Sequence, residues 1–294
     1  MTRTHQLFAL IVTLIWGTNF VFIRYGLDEL PPFLFATLRF ILVAIPLIFF
    51  LKKPNVSWAL IAAYGVLLGF GQFGLLFYAM QSDISPGLAS LVIQIQVFFS
   101  IIFAIFLFKE SVLRVQWLAL IISFSGIALI ASKVGGQNTL FGLVLVLLAA
   151  MSWALANMVV KKAGKIDIIA FIAYSSLFAV PVLAVMSLYF EGWNTIKTSL
   201  QSASMTSVFV VLWQTIGNTL IGYGLWNFLL SRYSAATVTP WALLVPVSGM
   251  AASYFMLDEP MPAWKLIAAF LVLLGLVLNI YVSTRRLKNA NITS

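Results

Sequence analysis

Ten apolar stretches take up most of this chain, each close to the roughly 20 residues a helix needs to cross the hydrocarbon core of a bilayer. They run approximately over 6–24, 33–51, 57–80, 87–108, 115–132, 140–160, 167–190, 206–230, 235–257 and 263–283. The breaks between them carry turn or charge chemistry, as in Asp28-Glu29-Leu30-Pro31-Pro32, Lys52-Lys53-Pro54-Asn55 and Gly135-Gly136-Gln137-Asn138. Only the connection near 191–205 is long, and no soluble domain is expected. Lipid offers the backbone no hydrogen bonds, so segments of this kind must satisfy their own as helices. The expected fold is an all-α integral membrane protein with ten transmembrane helices.

Composition leads to the same place. Hydrophobic residues make up 62% of the 294 and charged residues 9%, against about 45–50% and about 25% in soluble domains. The net charge of +9 would suggest nucleic acid in a soluble protein; here no nucleic-acid partner is expected, and the lipid bilayer is the surrounding. There is no cysteine, and the single histidine, His5, precedes the first apolar run. Disulfides, thiolate metal sites, a histidine metal site and a catalytic triad drop out, and no cofactor is expected. No removable leader is expected either, because the first run continues through Trp16-Gly17-Thr18-Asn19 without a small-residue cleavage site.

The basic residues give the spans a direction. With the N-terminus and every second loop on one side, that side holds Arg3, Lys52, Lys53, Lys109, Arg114, Lys161, Lys162, Lys165, Arg232, Arg285, Arg286 and Lys288. The other side holds Arg24, Lys133, Lys197 and Lys265, and Arg39 alone lies within a span. Positive charge collects in cytoplasmic loops, so both termini are expected in the cytoplasm.

The two halves resemble each other. An offset of 137 relates Trp16 to Trp153 and Arg24 to Lys161; an offset of 149 relates Lys109-Glu110 to Asp258-Glu259 and Gly126 to Gly275. Five spans per half is an odd number, so the second half must lie upside down relative to the first. The expected units are 1–134 and 135–294, an inverted repeat of the kind secondary transporters use to build a site near the midplane.

The stretch Trp16-Gly17-Thr18-Asn19-Phe20, then Leu38-Arg39-Phe40, and the Glu110 and Glu259 corners followed by Gly126 and Gly275 resemble the EamA family of the drug/metabolite transporter superfamily. Pro31-Pro32, Gly87-Leu88-Ala89-Ser90-Leu91-Val92, Gln94-Ile95-Gln96-Val97-Phe98-Phe99 and Leu243-Leu244-Val245-Pro246-Val247 look most like its bacterial exporters of cysteine and O-acetylserine. One departure is Val97, where the family often has a proline that the second half keeps as Pro246. The resemblance implies a multi-pass protein of the bacterial inner membrane, exporting small amino-acid-like metabolites by alternating access. It is expected to be a monomer or weak dimer.

All eight acidic residues fall in loops or at span ends. A proton-coupled pump usually carries a titratable group at membrane depth, so facilitated diffusion or exchange is expected. The alternative is a broad drug exporter driven by the proton gradient, which the abundant aromatics allow. An intramembrane enzyme would need a buried nucleophile or acid–base group, and none is in view.

Candidate pathway residues are the polar and aromatic ones inside spans. Arg39 lies about 9 Å below the outer boundary at 1.5 Å per residue. It either pairs with a substrate carboxylate, or snorkels to the outer surface or pairs with Asp28 or Glu29. Trp16 with Asn19, and Trp153 with Asn157, share helix faces at matching places in the two halves. Gln214 and Asn218 form one stripe that Gln72 continues through the repeat. Gln94 and Gln96 stand about 200° apart on a regular helix, so one is expected to face the pathway, the choice being open. Trp241, Tyr78, Tyr223 and Trp226 are further aromatic candidates, with interfacial anchoring the other reading.

Overall fold

The computed structural model describes residues 1–109, 113–133, 135–136, 138–233 and 238–290; Glu110 and the start of the stretch expected at 235–257 lie outside the described residues. Helices account for nearly all of it. They are α1 (Arg3–Leu27), α2 (Pro32–Ile48), α3 (Trp58–Ser82), α4 (Pro86–Phe108), α5 (Arg114–Lys133), α6 (Leu140–Ala163) and α7 (Ile168–Phe190). A short helix α8 (Trp193–Ser202) fills the long connection, followed by α9 (Met205–Leu230), α10 (Leu244–Leu257) and α11 (Ala263–Ala290). Eight helices (α1, α3 to α7, α9 and α11) are long and apolar enough to cross a membrane. The other two apolar segments, Pro32–Ile48 and Trp241–Leu257, are shorter than the runs 33–51 and 235–257 led one to expect. Pro46 removes a backbone donor near the end of α2, and α10 is preceded by a 3-10 turn instead of regular helix.

Local chemistry sets the helix starts. Ser57, Thr139, Asp167 and Ser204 cap α3, α6, α7 and α9 by accepting from first-turn N–H groups. Pro32 and Pro86 occupy the first turns of α2 and α4, where a missing N–H costs nothing. Pro31 cannot cap α2, so Glu191 at the end of α7 takes that role, accepting from the Phe33 and Leu34 N–H groups at 2.6 and 3.1 Å.

Four helices depart from regular geometry. The middle of α3 widens to a π-helix over Leu67–Gly74 and that of α9 over Trp213–Tyr223. Helix α4 tightens to a 3-10 turn at Ile93–Ile95, and a 3-10 turn at Thr239–Leu243 leads into α10. Such departures are uncommon and gather at functional sites. Lys109 and Asp258, just past α4 and α10, have φ of 54° and 51°, the two non-glycine residues with positive φ among those described.

Helices pack in pairs: α2 on α7, α5 on α11, α1 on α10 and α4 on α6, with α3 against both α6 and α7. Glycine permits the closest approaches, since a Cβ at Gly65 would lie 2.0 Å from the Ser175 carbonyl oxygen. The outward faces carry Phe106, Ile121, Phe255 and Phe270, each more than 60% exposed. An apolar surface of this extent is tolerable only against lipid or protein.

Candidate functional site

A cavity of about 570 Å³ lies at the centre of the bundle, within the roughly 300–1,000 Å³ usual for small-molecule sites. Its walls come from α1, α3, α4, α6, the start of α7, α9, α10 with the turn before it, and α11. Most of the lining is apolar and aromatic, with carboxamides spaced around it.

Trp16 and Asn19 both face the cavity from α1. The Trp16 indole N–H donates to the Asn218 carbonyl at 3.2 Å, and its ring lies 5.3 Å from those of Tyr223 and Trp226. Asn218 lies within the π segment of α9. Trp153 and Asn157 face the cavity from α6, and Asn157 Nδ2 donates to Gln96 Oε1 at 3.0 Å. Asn218 and Gln72 also line it.

Gln94 and Gln96 both reach the cavity. The expectation that only one would do so assumed a regular helix, where two residues stand about 200° apart, or about 160° the short way round. In a 3-10 turn, at three residues per turn, they stand only about 120° apart. The turn at Ile93–Ile95 therefore brings both amides round to one side.

Four candidates are placed elsewhere. Gln214 is fully buried behind the wall, donating to Asn19 Oδ1 at 2.7 Å and accepting from Asn218 Nδ2 at 3.4 Å. Tyr78 stacks on Phe33 and sits near Phe190. Trp241 packs on a satellite cluster of Ala9, Leu229 and Val238, while the neighbouring Ala242 and Leu243 line the cavity. Arg39 is 2% exposed and neither reaches the surface nor pairs with Asp28 or Glu29. Asp28 instead pairs with Arg24 at 2.8 Å, and Glu29 accepts from Ser204 and Ser207.

The guanidinium of Arg39 lies 3.7 Å from the centroid of Phe73, a cavity-lining ring. Its Nη2 donates to Thr219 Oγ1 at 3.2 Å, while Nε and Nη1 are buried with no hydrogen-bond partner. Its Cζ also lies 5.2 Å from the centroid of Phe40. A cation thus stands one ring's thickness behind the cavity, with no carboxylate bonded to it.

Sequence reasoning missed Tyr64, Phe73 and Asn279. Asn279 is an amide in the otherwise apolar stretch 266–282 of α11, accepts from Gln116 Nε2 at 3.0 Å, and lines the cavity with Leu276 and Ile280. A lone amide in an apolar span was the signal that could have found it. Tyr64 and Phe73 carried no such mark among many aromatics.

The two ends of the cavity differ. Its lining reaches Val160 and Ile168, which flank the short connection from α6 to α7. At the other end it stops at Ile23 and Leu76, and every residue from Ile84 to Ile95 is buried. A membrane-crossing helical bundle around an amide-studded cavity, shut at one end, has the build of a membrane carrier.

The comparisons agree with that class. The model of the EamA-like transporter family matches residues 4–132 and again 140–281. A probable amino-acid metabolite efflux pump of Salmonella typhimurium is 38% identical over 287 residues, covering 96% of each chain. Its namesake in Escherichia coli is 37% identical over the same extent. A crystal structure with 18% sequence identity overlays with a TM-score of 0.64, covering 98% of this chain and 99% of that one, a likeness of fold. The chain belongs to the EamA-like transporter family, and is a multi-pass membrane protein.

Proposed function

We propose that this protein exports small amino-acid-like metabolites, of the cysteine and O-acetylserine kind, from the cytoplasm across the bacterial inner membrane. The observation that carries this reading is the cavity itself. Asn19, Gln72, Gln94, Gln96, Asn157 and Asn218 offer both donors and acceptors to a zwitterion, on walls otherwise apolar. The names of the relatives at 37–38% identity support the same substrate class.

Arg39 is the counter-charge for the substrate carboxylate. Its unpartnered N–H groups and its place behind Phe73 support this role. A carboxylate drawn to that wall meets a buried guanidinium whose Nε and Nη1 have no hydrogen-bond partner, while the substrate ammonium turns to the amides.

The fold reads as two inverted halves, 1–134 and 135–294, with ten spans. The support is the pairing of irregularities: π segments in α3 and α9, 3-10 turns at α4 and α10, and positive φ at Lys109 and Asp258, which are 149 residues apart. Inter-half packing of α2 on α7, α5 on α11, α1 on α10 and α4 on α6 also follows such a relation. The end reached by Val160 and Ile168 borders the lysine-rich stretch Lys161, Lys162 and Lys165, so the cavity opens to the cytoplasm. Alternating exposure of one central site then moves the substrate, by facilitated diffusion or exchange.

The test is efflux of preloaded labelled cysteine or O-acetylserine from proteoliposomes, with and without an imposed pH gradient. Efflux independent of the gradient, slowed at least tenfold in Arg39→Ala, is expected. An equal slowing for the substrate's methyl ester would remove the carboxylate role of Arg39. No efflux of either compound would remove the substrate class.

A further inference from the structure

The geometry points to Glu259 as a latch that holds the cavity shut at the end opposite its opening. This rests on the reading of the chain as an alternating-access carrier and adds to it the group that must let go.

Glu259 follows α10 directly after Asp258, whose backbone is left-handed (φ 51°). That turn sends the chain back towards the start of α4. The Glu259 side chain is 7% exposed, and its carboxylate accepts from Ser85 Oγ at 2.5 Å and the Gly87 N–H at 2.9 Å. Lys265, 2% exposed at the start of α11, donates to the same carboxylate at 2.7 Å and to the Pro260 carbonyl at 2.9 Å. A Cβ at Gly87 would stand 3.0 Å from both carboxylate oxygens, so glycine is what lets the carboxylate seat.

The position of this contact is what makes it a latch. It joins the outer end of α10 to that of α4, and these two helices pack together below it: a Cβ at Gly249 would lie 2.6 Å from Ser90 Oγ. Further in, both depart from α-helix, at Ile93–Ile95 and Thr239–Leu243, where Ile93, Gln94, Ala242 and Leu243 line the cavity. The stretch between latch and 3-10 turns is therefore the wall that closes this end. Pivoting at the two turns would part it once the carboxylate leaves Ser85 and Gly87. Glu29 and Glu191 also bridge distant parts of the chain at this end, but neither holds α4 to α10. A desolvated ion pair seated on one backbone N–H and one serine hydroxyl is made or broken as a unit, as a two-position gate requires. In sequence, the offset of 149 relates Glu259 to Glu110 and Ser85 to Ser234, both outside the described residues.

The absence of native cysteine makes the test direct. Leu76→Cys places a reporter at the closed limit of the cavity, and a membrane-impermeant thiol reagent is applied to oriented vesicles from the Ser85 side. Glu259→Gln is expected to speed labelling from that side at least tenfold, with Ser85→Ala giving a smaller rise. A second reporter, Ala119→Cys, sits buried between α5 and α11, away from the latch, and should stay unchanged. An unchanged Leu76→Cys rate in folded Glu259→Gln would overturn the latch, as would a parallel rise at Ala119→Cys, which signals general loosening. Because labelling needs no substrate, failure here is separate from failure of the efflux assay.

Discussion

Gln214 Nε2 donates to Asn19 Oδ1 at 2.7 Å, a buried bond that ties α1 to the π segment of α9 directly behind the cavity wall. Gln214 also accepts from Asn218, so one residue that never touches the cavity sets the orientation of two amides that do. This makes it a positioning residue.

Gln214→Leu is expected to destabilise the protein by about 1–3 kcal/mol, because it strands buried polar groups on Asn19 and Asn218. Thermal unfolding in detergent measures this. Substrate affinity should fall as well, since both amides lose their orientation. Unaltered affinity would show that the wall orders itself without Gln214.

Arg39→Met separates stability from transport. The arginine gains about 2 kcal/mol from the Phe73 ring but carries a desolvation penalty of several kcal/mol with no bonded counter-ion. Removing the charge should leave stability within about 1 kcal/mol or raise it, while efflux of carboxylated substrates drops at least tenfold. A large loss of stability with transport intact would assign Arg39 to structure alone.

Gly17→Leu should push α1 from α10, because even a Cβ at Gly17 would meet Ser248 Oγ at 1.8 Å and the Val245 carbonyl at 2.7 Å. Overpacking of this kind costs about 1–3 kcal/mol or more. Gly224→Ala serves as the control: nothing lies within 4 Å of that Cβ, and helix propensity alone predicts a gain approaching about 1 kcal/mol. The difference in unfolding temperature between the two variants is the readout.

The loop carboxylates Glu29 and Glu191 should respond to pH with opposite sign. Hydrogen bonds from Ser207 and Ser204 hold Glu29 below its ordinary value of 4.5. Its contribution is present above 4.5 and lost as pH falls through the lowered value, so Glu29→Gln should flatten the acid limb of stability. Burial raises Glu191 despite its bonds to Ser187, Phe33 and Leu34. Its contribution is fullest below 4.5 and declines as pH climbs through the raised value, a decline Glu191→Gln should remove. Unfolding followed from pH 3 to 8 checks both.

The membrane-crossing helices were legible in the sequence because burying a peptide group in lipid is so costly that each span must announce itself as an apolar run. The aligned amides and indoles at Trp16, Asn19, Trp153 and Asn157 were legible too, since regular helix periodicity put each pair on one face and polar groups are wasted on lipid. Where the helices stop being regular, that reading failed. The 3-10 turn at Ile93–Ile95 brought Gln94 and Gln96 to one side, and the turn at Thr239–Leu243 carried Trp241 away while presenting Ala242 and Leu243. Only tertiary structure decided that Gln214 stands behind the wall, that Arg39 rests on Phe73 without a bonded carboxylate, and that Glu259 seats on α4. A chain's hydropathy records the cost of meeting lipid, a property of each segment alone. Which polar group meets which depends on contacts between residues far apart in sequence, and on local twist that those contacts impose.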